Sequence, residues 1–112
     1  MSMEAVGPGA VAPTPGDAMR RLRLDDDLAE DVEAAIPQAL AEAEVFLDGK
    51  LYATAQAKAD AQDLRGIVCT PDIIAAQLLL VDALVADNGE DAVETKRTRA
   101  FNMLRRHRNM GA

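Results

Sequence analysis

The chain has no tryptophan, only three aromatic residues (Phe46, Tyr52 and Phe101), one cysteine and one histidine in 112 residues. Each scarcity excludes something. With so few aromatics, the interior must be assembled from Leu, Ile, Val, Met and many Ala, which pack closely but bury little area each. The single Cys69 permits no internal disulfide, and no charged-then-apolar leader opens the sequence, so a reducing cytoplasm is the expected compartment of synthesis. There is no glycine-rich phosphate loop, no CxxC pair and no HExxH. The run Ile73 to Ala86 contains Gln77 and Asp82 and is shorter than the roughly 20 apolar residues a membrane crossing needs.

Chemistry-bearing residues are correspondingly sparse. His107 stands between Arg106 and Arg108, surroundings that disfavour a metal ion and offer the ring no carboxylate, so neither a metal nor a catalytic site is expected there. Cys69 precedes a helix start, yet Ile67 and Val68 argue for burial and inert packing. Asp25-Asp26-Asp27 lacks the alternating ligands, central glycine and distal Glu of a calcium loop and reads as a solvated helix cap. No enzyme activity and no cofactor are expected.

What the sequence has in quantity is charge, unevenly placed. Net charge is −7. Residues 1–95 carry 19 acidic and 6 basic side chains, while residues 96–112 carry 6 basic and none acidic. The result is an acidic body with a basic end.

Periodicity gives an all-α fold, a small bundle of four to five helices. Residues 1–14 form a flexible arm, because Met1 to Gly16 has three prolines, three glycines and one charge. Residues 15–112 form a single helical domain. Thr14-Pro15 starts a short helix to about Leu24, with Met19, Leu22 and Leu24 apolar. A second helix runs from about Asp27 to Asp48 on Leu28, Val32, Ile36, Leu40, Ala43 and Leu47, with Glu30, Asp31, Glu33, Gln38, Glu42 and Glu44 on its wet face. Pro37 inside it predicts a kink, or a helix restarting there. Residues 51–65 predict a helix over about Ala53 to Leu64, followed by an extended linker whose Ile67-Val68 pair is too short for a sheet.

Thr70 to Asp87 is the central helix. Thr70 can accept a backbone N–H as N-cap, Pro71 suits the first position, and Asn88-Gly89 supplies the stop. It is apolar nearly all round, as a core or interface helix is. A last helix runs from Glu90 or Asp91 to about Asn109, with acids in its first turn and cations toward its end, the arrangement that the helix dipole favours. So small an Ala-rich chain is marginal alone, and self-association is expected. The cations could meet nucleic acid phosphate or an acidic protein surface. An acidic body, and no aromatic interleaved among the cations, favour a protein partner.

Four segments taken in order, TPGDAMRRLRLDDD, AIPQALAEAEVFLDGKLY, GIVCTPDIIAAQLLLVDALVADN and AFNMLRRHRNMG, resemble the head-tail connector (adaptor) family of tailed bacteriophages. The resemblance covers about residues 14–110. It implies a structural protein of the virion neck, made in the host cytoplasm, with about a dozen copies ringed under the portal protein. The ring would join the portal to a stopper or tail-completion protein. DNA would pass through its channel without sequence-specific binding, which carboxylates lining the channel would favour by repelling phosphate. On this reading Lys96, Arg97, Arg99, Arg105, Arg106 and Arg108 dock on the portal, and Leu40, Ile73, Leu80 and Leu84 form the subunit interface. The alternative is a small helical DNA-binding or regulatory partner protein that uses the basic C-terminal helix.

Overall fold

Thr14-Pro15 does start a helix. In the computed structural model of the chain, which describes residues 10–86 and 89–109, α1 (Pro15–Leu22) begins with Thr14 Oγ1 accepting the Asp17 N–H at 3.1 Å. A 3₁₀ turn at Asp26–Leu28 leads into α2 (Ala29–Leu47), which buries Val32, Ala35, Ile36, Ala39, Ala43 and Leu47 at the three- and four-residue steps of one helix face. The expected restart at Pro37 does not occur, since α2 runs unbroken through it with the ring on the exposed side.

The segment after α2 differs most from expectation. Leu51–Tyr52 (β1) and Ile67–Val68 (β2) pair in parallel, Leu51 opposite Ile67 and Tyr52 opposite Val68, so the short β-branched pair does enter a sheet. The pairing extends to the flanking residues: Ile67 N donates to Lys50 O and Cys69 N donates to Tyr52 O, both at 2.8 Å. Between the strands lies α3 (Ala55–Ala61), capped by Thr54 Oγ1 on the Ala57 N–H and ending three residues before the expected Leu64. Gly66 makes the closure possible, because a Cβ there would lie 2.5 Å from the Tyr52 ring. The Tyr52 hydroxyl donates to Asp63 at 2.9 Å, a bond that favours the protonated phenol and raises its pKa.

The central helix α4 (Pro71–Val85) buries Ile73, Ala76, Gln77, Leu78, Leu80, Val81 and Ala83. Its N-cap works differently from expectation. Thr70 makes no side-chain bond to the helix backbone; its hydroxyl donates instead to the Asp72 carboxylate. The stop expected at Asn88-Gly89 falls partly outside the described residues. The last helix, α5 (Glu90–Leu104), gives way to a 3₁₀ turn at Arg105–His107, earlier than the expected Asn109. It runs antiparallel to α4, with Lys96 on Asp82 near their connection and Arg106 and His107 on Asp72 at the far end. It runs parallel to α2, since Arg97 meets Glu42 and Phe101 meets Phe46 in the same order.

One apolar cluster joins α1, α2, α4 and α5, from Ala18 through Val32, Leu47, Ile73 and Leu80 to Leu104. Part of the expected arm belongs to it. Val11 and Ala12 pack on the cluster, Pro13 is buried, and the buried Gln77 donates Nε2 to Val11 O at 2.7 Å. Residues 11–13 are thus fastened to the core, Thr14 caps α1, and residues 1–9 of that arm lie outside the described residues. Among the described residues no helix is long and apolar enough to cross a membrane.

Candidate interaction surface

The six cations from Lys96 to Arg108 do not form one free patch. Lys96 pairs with Asp82 at 2.8 Å, Arg97 with Glu42 at 2.7 Å and Arg106 with Asp72 at 2.8 Å. These three fasten α5 to α4 and α2. Arg99, Arg105 and Arg108 are exposed and have no carboxylate within ion-pair distance among the described residues. The basic end available to a partner is therefore half of that expected. Arg99 lies in a groove with Asp91, Glu94, Thr95, Thr98 and Asn102, whereas Arg108 stacks over the Phe46 ring at 5.1 Å.

Sequence reasoning missed the group that closes the far end of α5. His107 Nε2 lies 2.7 Å from Asp72 Oδ2, so the ring does have a carboxylate, supplied from 35 residues away. Asp72 also accepts from Arg106 and from the Thr70 hydroxyl. Burial alone would raise its pKa; the hydrogen bonds from Thr70, His107 and Arg106, with the His107 charge, override that and hold the carboxyl well below the usual range. Asp72 at the start of α4 thus gathers Thr70, Arg106 and His107, which makes the group a clamp between α4 and the end of α5. Beside it, Cys69 is half-buried, and burial with the Asp72 charge pushes its thiol up to about 11. A thiol so shifted is protonated at neutral pH, the opposite of an activated nucleophile. Among the described residues no group of His, Cys, Asp and Glu could hold a metal ion.

The residues expected at a subunit interface separate. Ile73 and Leu80 have no accessible surface, being covered by this chain's own helices, so they belong to the core and have nothing to present to a neighbour. Leu40 is half-buried against the same cluster. Leu84 alone of the four is exposed, at 37 %. Two other large apolar side chains reach solvent, Val45 at 81 % and Leu64 at 94 %. Val45 had no distinguishing signal in the sequence beyond its place on the wet side of the α2 period. Its neighbour Phe46 stacks on Phe101 with ring centroids 4.9 Å apart, and the Arg97 guanidinium lies 5.2 Å from the Phe101 centroid.

The acidic side is simpler. Asp25, Asp26, Asp27, Glu30, Asp31 and Glu33 are all exposed on the 3₁₀ turn and the first turns of α2, with no cation partner among the described residues. No family model, curated protein or solved structure matches the chain.

Proposed function

We propose that the chain is a structural head-tail connector of a tailed bacteriophage. Copies form a ring of about a dozen in the virion neck, the usual closed outcome of head-to-tail contacts around an axis. The ring joins the portal protein to a stopper or tail-completion protein and surrounds the DNA exit channel. The observation that carries the reading is the separation of unneutralised charge. Among the described residues, six carboxylates without a cation partner crowd one end of α2, and Arg99, Arg105 and Arg108, without a carboxylate partner, lie along α5 and the turn that follows it. An exposed carboxylate surface turned to the channel repels phosphate and lets DNA slide, while the arginines meet an acidic protein surface. The all-helical fold and the order of the four resembling segments support the same assignment. The role requires no catalysis and no cofactor.

Negative-stain microscopy and co-sedimentation with a portal protein from the same source test the reading. Rings that sit on portals, and that are lost in an Arg99→Glu/Arg105→Glu/Arg108→Glu variant with unchanged circular dichroism, are the expected result. A chain that neither rings nor co-sediments would overturn it. If it instead retarded duplex DNA at low salt, the basic end would pass to the DNA-binding alternative.

A further inference from the structure

The exposed face of α2 carries two grooves in sequence, and they share a residue. One, of about 340 Å³, is lined by Asp31, Ala34, Ala35, Gln38, Leu84 and Val85. The other, of about 530 Å³, includes Gln38, Ala41, Val45, Phe46 and Phe101. Asp31, Ala34, Gln38, Ala41 and Val45 follow one another at three- and four-residue steps, and all five are exposed. They make a single outward strip. Gln38 is its midpoint, seven residues from Asp31 and seven from Val45, so the strip spans about 21 Å at the rise of an α-helix.

The two halves of the strip are opposite in charge and complementary in shape. Over Phe46 stands Arg108, with no carboxylate partner among the described residues. Asp27 and Glu30 precede Asp31 by four residues and one, both exposed and neither with a cation partner among the described residues. Val45 stands exposed in one half, and the other half has a recess lined by Ala34 and Leu84 among others. A parallel neighbour would set like charges together. An antiparallel one sets acid on base twice and needs no second surface.

We propose that this strip of α2 is a self-association surface on which a second copy of the chain docks antiparallel, about a two-fold axis at Gln38. Val45 of each copy enters the Ala34–Leu84 recess of the other, and Arg108 of each meets the Asp27, Glu30 and Asp31 carboxylates of the other. Ala34 and Ala41 allow the helices to approach closely, and the two Gln38 amides, each both donor and acceptor, meet at the axis, exchanging their long, exposed bonds to Glu42 for one another. The pairing belongs to the free chain and does not depend on the connector reading. It leaves the Asp91–Arg99 side of α5 uncovered.

A symmetry axis at Gln38 places that residue beside itself. In the full chain with Cys69→Ser, a Gln38→Cys substitution should give a disulfide-linked dimer under a mild thiol oxidant, whereas Arg99→Cys should leave single chains. Light scattering should report twice the chain mass. Val45→Glu, at a side chain already exposed in the fold, should weaken the dimer about tenfold or more by placing a carboxylate opposite carboxylates. A single-chain mass at every concentration, cross-linking through position 99 instead of 38, or an assembly indifferent to Val45→Glu would overturn the proposal.

Discussion

α4 and α5 have the same length, lie against each other, and are held by different forces. α4 buries seven residues, six of them apolar or alanine, in contact with α2, α1 and α5. α5 buries only Ala100 and Leu104. Its attachment comes instead from Lys96 on Asp82, Arg97 on Glu42, and Arg106 with His107 on Asp72. Apolar burial is not weakened by charge screening and is nearly indifferent to pH, while ion pairs at a surface respond to both. One helix therefore sets whether the domain folds, and the other sets how its basic end is presented.

The largest test of this contrast truncates the core side. Leu80→Ala removes a fully buried side chain from the middle of α4 and should cost about 3 kcal/mol, as leucine-to-alanine changes in closed cores do. Urea unfolding would show it as a lower midpoint with an unchanged slope. A cost under about 1 kcal/mol would mean that α4 is not the packing centre.

The next test acts on the clamp. Asp72→Asn keeps the shape but removes the charge facing His107, Arg106 and Thr70, and should cost about 1–2 kcal/mol near neutral pH. Because the folded carboxyl is held below its ordinary value, its contribution is fully present above the unfolded pKa near 4 and is lost as pH falls through the folded value. The gap in stability between wild type and variant should close in solution more acid than about pH 5. A gap that widens on acidification would show that the carboxylate is not held by these partners.

How far the sequence could have led differs along the same lines. The Thr-Pro starts at residues 14 and 70 and the period of α2 are local signals, and each led to a helix where expected. The β1–β2 pairing was hidden because two residues on each side carry no pattern and the partners lie 16 residues apart. The end of α2 was expected at Asp48, its C-cap, but those of α1 and α3 were harder to locate to the residue. Arg23 and Gln62 take the left-handed conformation there, with no glycine beside them to mark it. The Asp72–His107 contact spans 35 residues, so nothing beside His107 in the chain announces it. Interface residues chosen by hydrophobicity alone went astray for a general reason. In a small chain the most apolar positions, Ile73 and Leu80, are the first to be covered by the chain itself. What remains outside is less apolar on average and recognisable only once the helices are packed, as with Val45 and Leu84.

The smallest effect separates the two helices most directly. Arg97→Met keeps the aliphatic stem but removes the pair with Glu42 and the cation over Phe101. Both partners are partly exposed, so the loss should be no more than about 1 kcal/mol at low ionic strength and should shrink in high salt. Hydrogen exchange locates it. Amides of α5 should exchange faster in the variant, and in the wild type at high salt, while those of α4 keep their protection, because opening α5 breaks charge contacts without exposing the α4 core on its α2 side. If α4 and α5 instead lost protection together, the two helices would open as one unit. The basic end would then be a fixed part of the core and not a separately held element.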